Sequence, residues 1–428
     1  MANDISRQIM IDNKTLATGL NQGLDIDQIR KDFPMTEVEV KGKKLIYFDS
    51  AATNQKPRVV VDRLRDLYVN KYGKTEESHN FSQQMTQAFE DTRSKAASMI
   101  GASSPDEIVF TTGSTHGINT VAHGFGWAIL QEGDEVMVSM LEHHSNIVPW
   151  QMACARSKAK LVVCPILPDG SLDIEQFENL LSDKTKVVSF AHSSNVLGSM
   201  LPVRKICDLA HARGIPVMID GAQAAPHMPV DMQALDCDFY VFSAHKMGGP
   251  AGVGVLYGKK KWLEKLPPLQ GGEGMASEVT FEESKFAPAP KKFQAGTPAF
   301  EEIVAFGTLI DYVQNLGMGK TAAYEQELLD YATARLNEVP QVKIYGTSAE
   351  KEPVISFDLE GMDITALEKF LNDRYNIAVK AGSLSAEPLM KHLGVSGLIR
   401  LSFCYFNTRA EIDLFMNALQ QFIADPNG

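Results

Sequence analysis

Lys246 closes the run Ser243-Ala244-His245-Lys246, directly after the apolar segment Phe239-Tyr240-Val241-Phe242. A lysine that follows such a segment is poorly placed for an ordinary surface charge. Upstream, Asp220 ends another apolar run, Ile215-Pro216-Val217-Met218-Ile219, and begins Asp220-Gly221-Ala222-Gln223. An amine and a carboxylate that each follow a strand suit pyridoxal 5'-phosphate (PLP). That cofactor takes a lysine for its Schiff base and a carboxylate to keep its ring nitrogen protonated. Ligands of α/β sheets gather at the carboxyl ends of strands. Asp220, Lys246, Asn195 and His143 all fall just past strand-like runs and are therefore placed to meet, although the chain scatters them.

Further segments fit the same cofactor less specifically. Thr112-Gly113-Ser114-Thr115 lies between a strand and a helix. Small residues with free amides at a helix start cradle phosphate, though a plain N-cap reads the same way. His143, in Glu142-His143-His144-Ser145-Asn146, offers a flat imidazole to a pyridine ring, or is structural. Asn195 and Gln223 are candidates for hydrogen bonds to the cofactor's phenolic oxygen, with plain turn residues as the alternative.

The elements that must carry these residues form a two-part pattern. Between about 105 and 260, strand-like runs alternate with helix-length segments, the rhythm of βαβ units and a mostly parallel sheet of seven strands. The last two runs, around 240–242 and 253–257, are joined by a short Gly/Pro-rich link, which predicts one antiparallel strand. Residues 264–298 read as an extended, looped connection. From 299 to 428 a long helix, further strands and a terminal helix predict a smaller α+β domain. Residues 26–298 make the large domain, its first part packing with the small one, and residues 1–25 are expected to be a flexible arm.

Length and composition are those of a two-domain globular protein, with 44% apolar and 22% charged residues in 428. A net charge of −12 argues against nucleic-acid binding. No apolar run is long enough to span a membrane and the start lacks a signal pattern, so a cytoplasmic location is expected. The five cysteines lack pair spacing and read as buried free thiols; with no CxxC or HExxH, no metal site is expected.

Taken together, Tyr47 to Ala52, Glu142 to Trp150, Ser194 to Gly198, Asp220 to Gln223, Ser243 to Lys246 and Ala295 to Pro298 resemble the class V aminotransferases. Within that family they are similar to the SufS/CsdA-like (group II) cysteine desulfurases, in family order across nearly the whole chain. The resemblance implies a fold-type-I PLP homodimer acting on an amino acid. Lys246 would hold the cofactor, Asp220 its ring nitrogen, and His143 would stack on the ring; Asn195 and Gln223 would lie near its oxygen. Thr115, Ser243 and His245 would bind the phosphate beside Ser114, joined by Thr297 of the neighbouring subunit. Arg400 would clamp the substrate carboxylate, unless it forms a structural salt bridge, with Ala51 and Lys380 also facing the substrate.

One departure bears on the chemistry. The family's active loop carries a cysteine in a pattern like Arg-x-Gly-x-His-Cys-Ala-x-Pro-Leu. This chain reads Lys380-Ala381-Gly382-Ser383-Leu384-Ser385-Ala386-Glu387-Pro388-Leu389, which puts Ser385 at the cysteine. A hydroxyl neither ionises as readily as a thiol nor holds a persulfide. Leu384 stands for the histidine, Lys380 for the arginine, Asn80 (after His79) for another arginine and His116 for an acid. The leading expectation is a C–S lyase or β-eliminase. The alternatives are transamination, epimerisation or decarboxylation; a desulfurase with a disabled or engineered loop; and a non-enzymatic partner of sulfur-transfer machinery.

Overall fold

The computed structural model describes residues 23–426, so the expected flexible arm lies outside the described residues except for its last three. After a short helix at Ile26–Lys31 and short strands up to Tyr47, two longer helices follow, α1 (Arg58–Asn70) and α2 (Asn80–Met99). The large sheet comprises β1 (Ile108–Thr111), β2 (Glu135–Ser139), β3 (Lys160–Cys164), β4 (Thr185–Ala191), β5 (Val217–Asp220), β6 (Phe239–Ser243) and β7 (Gly254–Gly258). Its order is β1-β7-β6-β5-β4-β2-β3. β7 alone runs antiparallel to its neighbours, β1 and β6, as the short link before it predicts.

Central strands of such a sheet are covered on both faces and read as unbroken apolar runs rather than alternating ones. β6 follows that rule, with all five residues from Phe239 to Ser243 buried. α3 (Ser114–Ala128), α4 (Val148–Ser157) and α5 (Val203–His211) connect the strands. The parallel arrangement brings the carboxyl ends of β1, β2, β4, β5 and β6 to one edge, where the chemistry-bearing residues follow.

The connection at 264–298 is not wholly irregular. It contains a two-stranded hairpin, β8 (Ala276–Val279) with β9 (Ser284–Phe286). These strands are short and mostly exposed, so they carry no buried periodicity in the sequence. The long helix expected next is two helices, α6 (Phe300–Leu316) and α7 (Met318–Asn337), parted at Gly317 with φ +85°. α6 packs Phe300, Ile303, Phe306 and Leu309 into the core of the large sheet. α7 packs Leu328, Leu329 and Leu336 into the second core. The apolar packing thus changes hands near Gly317, not at the 298/299 boundary.

The second core lies under an antiparallel sheet, β10 (Val342–Tyr345), β11 (Val354–Leu359), β12 (Lys380–Gly382) and β13 (Leu398–Ser402), in the order β10-β11-β13-β12. α8 (Ile364–Tyr375) and the terminal α9 (Arg409–Ala424), which begins with a Thr408/Glu411 capping box, cover it. Ile377–Ala378 pairs in parallel with Ile46–Tyr47, which ties the early chain to this part. Among the described residues no helix is long and apolar enough to cross a membrane.

Candidate active site

The strand ends and the small sheet enclose a cavity of about 340 Å³. Lys246, Asp220, His143, Asn195, Gln223, Ser114, Thr115, Ser243 and His245 all line it from the large sheet. Arg400 and Lys380 line it from the small sheet, Ser385 from the following loop and Ala51 from the early chain. Thr297 does not reach this cavity. It lines a separate hollow of about 320 Å³ with Lys74, Glu273 and Lys291. His79, Asn80 and His116 are also absent from the cavity wall. The His79 ring instead caps α2, accepting from Ser82 N at 3.2 Å. His116 accepts from Thr112 N at 3.2 Å.

Asp220 ends β5, fully enclosed, and its Oδ1 accepts from Ala222 N at 3.0 Å. Burial pushes its carboxyl up and the nearby Lys246 charge pulls it back down. Gly221 next to it has no substitute, because a Cβ there would lie 2.1 Å from the buried Tyr240 ring. Lys246 sits in a one-turn helix, Ala244–Met247, closed by Gly248 at φ +101°. Burial pulls its amine down to about 8, against the raising effect of Asp220. His143 and His245 are both lowered to about 4, mainly by burial, and so are neutral at physiological pH.

At the start of α3, Gly113 adopts φ +149° and lies against β7 so closely that a Cβ on Gly254 would come within 2.5 Å of it. This tight crossing presents the first turn of α3 to the cavity. Ser243 Oγ accepts from Ser114 N at 2.8 Å, and the Thr115 and Ser145 hydroxyls meet at 2.8 Å. Ser145 also lies 3.1 Å from His143 Nδ1, linking the phosphate-type cradle to the ring.

Two residues missed in the sequence bear on this geometry. Asp49 takes Arg400 Nη2 at 2.7 Å, and no motif marked it as an ion-pair partner. Glu142 is buried beside His143 and accepts from Asn146 Nδ2 at 2.7 Å, from Ala191 N at 2.9 Å and from the Ser139 hydroxyl. Desolvation raises it to about 7. An apolar Glu-His-His context at a strand end was the only available signal for it.

Three buried side-chain atoms in the cavity wall have no partner: Asn195 Oδ1, Gln223 Oε1 and Arg400 Nε. Unpaired buried polar atoms are costly and mark space shaped for a polar occupant. A buried carboxylate opposite a depressed lysine, a helix N-terminus flanked by hydroxyls and two amides together fit the ring nitrogen, aldehyde, phosphate and oxygen of PLP. The fold and this site define a PLP-dependent enzyme of fold type I.

Comparison with known proteins agrees. Residues 46–415 match the family model for aminotransferase class V. The chain belongs to that family, and within it to the branch that includes the cysteine desulfurases. It is 43% identical over 398 residues to a cysteine desulfurase of Escherichia coli, covering 92% of this chain and 98% of that protein. A cysteine desulfurase of Synechococcus elongatus is 42% identical over 93% of this chain, which spans only 64% of that longer protein. Among solved structures, a cysteine desulfurase of E. coli superposes with TM-score 0.87 at 33% identity, covering 94% of this chain and 99% of the other. The apo structure of a cysteine desulfurase from Thermococcus onnurineus gives 0.88 at 32% identity, with 93% and 98% covered.

The depressed amine has a measurable consequence. Only neutral lysine attacks an aldehyde, so PLP capture by the apoprotein should accelerate with pH up to about 8 and then level off. An unperturbed lysine would keep accelerating towards 10.5, its ordinary value. Rapid-mixing absorbance across this range tests it; a rate still climbing well above 8 would contradict the burial of Lys246.

Proposed function

We propose that this protein is a C–S lyase that cleaves an S-substituted cysteine by β-elimination and forms no persulfide on its active loop. The observation behind this reading is Ser385: it lines the cavity at the loop position where the family resemblance would put a cysteine, and no cysteine lines that cavity. The five cysteines are all buried, and burial raises each thiol, Cys154 to about 11 and Cys164 to about 12. None is an accessible thiolate of the kind sulfur capture requires.

The proposed roles follow from placement. Arg400 is held by Asp49 and by the Asn195 carbonyl at 3.1 Å, leaving buried Nε free for the substrate carboxylate. Lys246, neutral in part at physiological pH, takes the α-proton and carries it within the cavity. Neutral His143 covers one face without adding a charge, and Asp220 supplies the negative charge opposite the ring nitrogen. When bound, PLP supplies an electron sink for charge developed at the α-carbon. The C–S bond then breaks with its electron pair on sulfur, sulfur leaves as a thiol, and water converts the remainder to pyruvate and ammonium.

Product analysis decides between the readings. S-substituted cysteines should yield thiol, pyruvate and ammonium in equal amounts, with no protein-bound persulfide. Alanine formed stoichiometrically with a bound persulfide would overturn the lyase reading. Ser385→Cys alone should not create full desulfurase activity, because Leu384 and Lys380 also differ from the motif.

We also infer a homodimer in which Thr297 completes the partner's phosphate site. In support, Thr297 lies away from its own cavity, and the end of α1 with the residues just after it exposes Tyr68, Val69 and Tyr72 to at least half of their area. Sedimentation at micromolar concentration should show a dimer; a monomer that binds PLP tightly would refute the shared site.

A further inference from the structure

The cavity holds three Lys/Arg side chains, and two of them already face an anion. Lys246 is set against Asp220, and Arg400 pairs with Asp49 at 2.7 Å. Burial keeps His143 and His245 neutral. Lys380 alone among these cavity cations has no carboxylate partner among the described residues, and it is exposed at the rim.

Its position is set by the small sheet. Lys380 on β12 is the direct partner of Arg400 on β13 in an antiparallel pair. Directly opposed residues project their side chains to the same face, with Cβ atoms about 5 Å apart. The phosphate-type cradle of Ser114, Thr115, Ser243 and His245 belongs to the large sheet instead, so a second anion beside Lys380 would be a different group.

Beside this cation the loop offers an apolar wall. Leu384 is 7% exposed and lines the cavity with φ +55°, and exposed Ser385 follows at φ +56°. Two successive non-glycine residues in the left-handed region are costly and persist only where the surroundings impose them. Here Asn195 Nδ2 donates to Leu384 O at 2.8 Å and His144 N to Ser385 O at 3.0 Å. Ser383 Oγ donates to Glu387 at 2.7 Å, and Glu387 pairs with His144. On the small-sheet side of the cavity, apart from Arg400, the wall is made by Leu384, Ser385 and Lys380, which are therefore placed to face the substrate side chain.

We propose that the substrate is a cysteine derivative whose sulfur carries a short substituent ending in a carboxylate. Leu384 packs on the apolar atoms next to sulfur and Lys380 reads the terminal anion. This rests on the lyase reading for the fate of the sulfur, but not for the charge preference.

The experiment uses PLP-loaded enzyme and two ligands of one shape, S-carboxymethyl-cysteine and the neutral S-carbamoylmethyl-cysteine. Binding is followed by rapid-mixing absorbance before turnover. The acid should bind roughly three- to tenfold more tightly, the scale of a partly exposed charged contact. The preference should shrink as salt is raised, vanish in Lys380→Met and survive in Lys380→Arg. Leu384→Ser should weaken both ligands alike. Equal affinity in the wild type, or a preference that persists in Lys380→Met, would overturn the assignment. A charge preference without pyruvate release would uphold it while refuting the lyase reading; pyruvate from both ligands at equal affinity would do the reverse.

Discussion

Lys246→Ala is expected to leave a colourless protein in which borohydride fixes no PLP to any lysine, while the fold is retained. The side chain occupies a cavity rather than a packed core, so truncation removes an amine and leaves space that water can fill. Its two proposed tasks, covalent attachment and α-proton transfer, would both disappear. Loss of a positioned acid–base group alone costs about 10²–10⁴-fold in turnover, and the loss of attachment adds to that. Reduction with borohydride followed by peptide mapping checks the assignment. A lysine adduct that survives in the variant would end it, since among the described residues Lys246 is the lysine set against Asp220.

Asp220→Asn should weaken PLP affinity by about 10–100-fold, the range of a lost charge-assisted hydrogen bond. The substitution isolates charge from shape. Asparagine keeps an oxygen that accepts from Ala222 N, as Asp220 Oδ1 does now at 3.0 Å, so the turn after β5 survives. Removing the anion also withdraws the one nearby carboxylate that most raises Lys246, so its amine should titrate below about 8. The rate plateau of PLP capture should therefore move to lower pH. Equilibrium titration with PLP and the same rapid-mixing experiment read the two effects. Unchanged affinity together with an unchanged plateau would show that Asp220 serves only the turn.

Local chemistry was legible where one short segment carries its own reason. Ser243 to Lys246 and Asp220 to Gln223 follow buried strands, and residues after parallel strands share an edge; the cavity therefore gathers what the chain disperses. The antiparallel β7 was visible for a similar reason, since a short link cannot make a parallel crossover. The exposed hairpin at 276–286 left no such mark, because strands without a buried face show no alternation.

What the sequence determined by itself is the cofactor-type residue set, the mostly parallel sheet and the serine at 385. Only the tertiary structure decided that α6 belongs to the large core, that Thr297, Asn80 and His116 stand outside the cavity of their own chain, and that Asp49 holds Arg400. It alone set Lys380 opposite Arg400 and bent Leu384 into the wall. The physical reason is range: strand patterns and turns depend on neighbours in sequence, whereas Asp49 and Arg400 are joined across 351 positions by packing that no local pattern encodes.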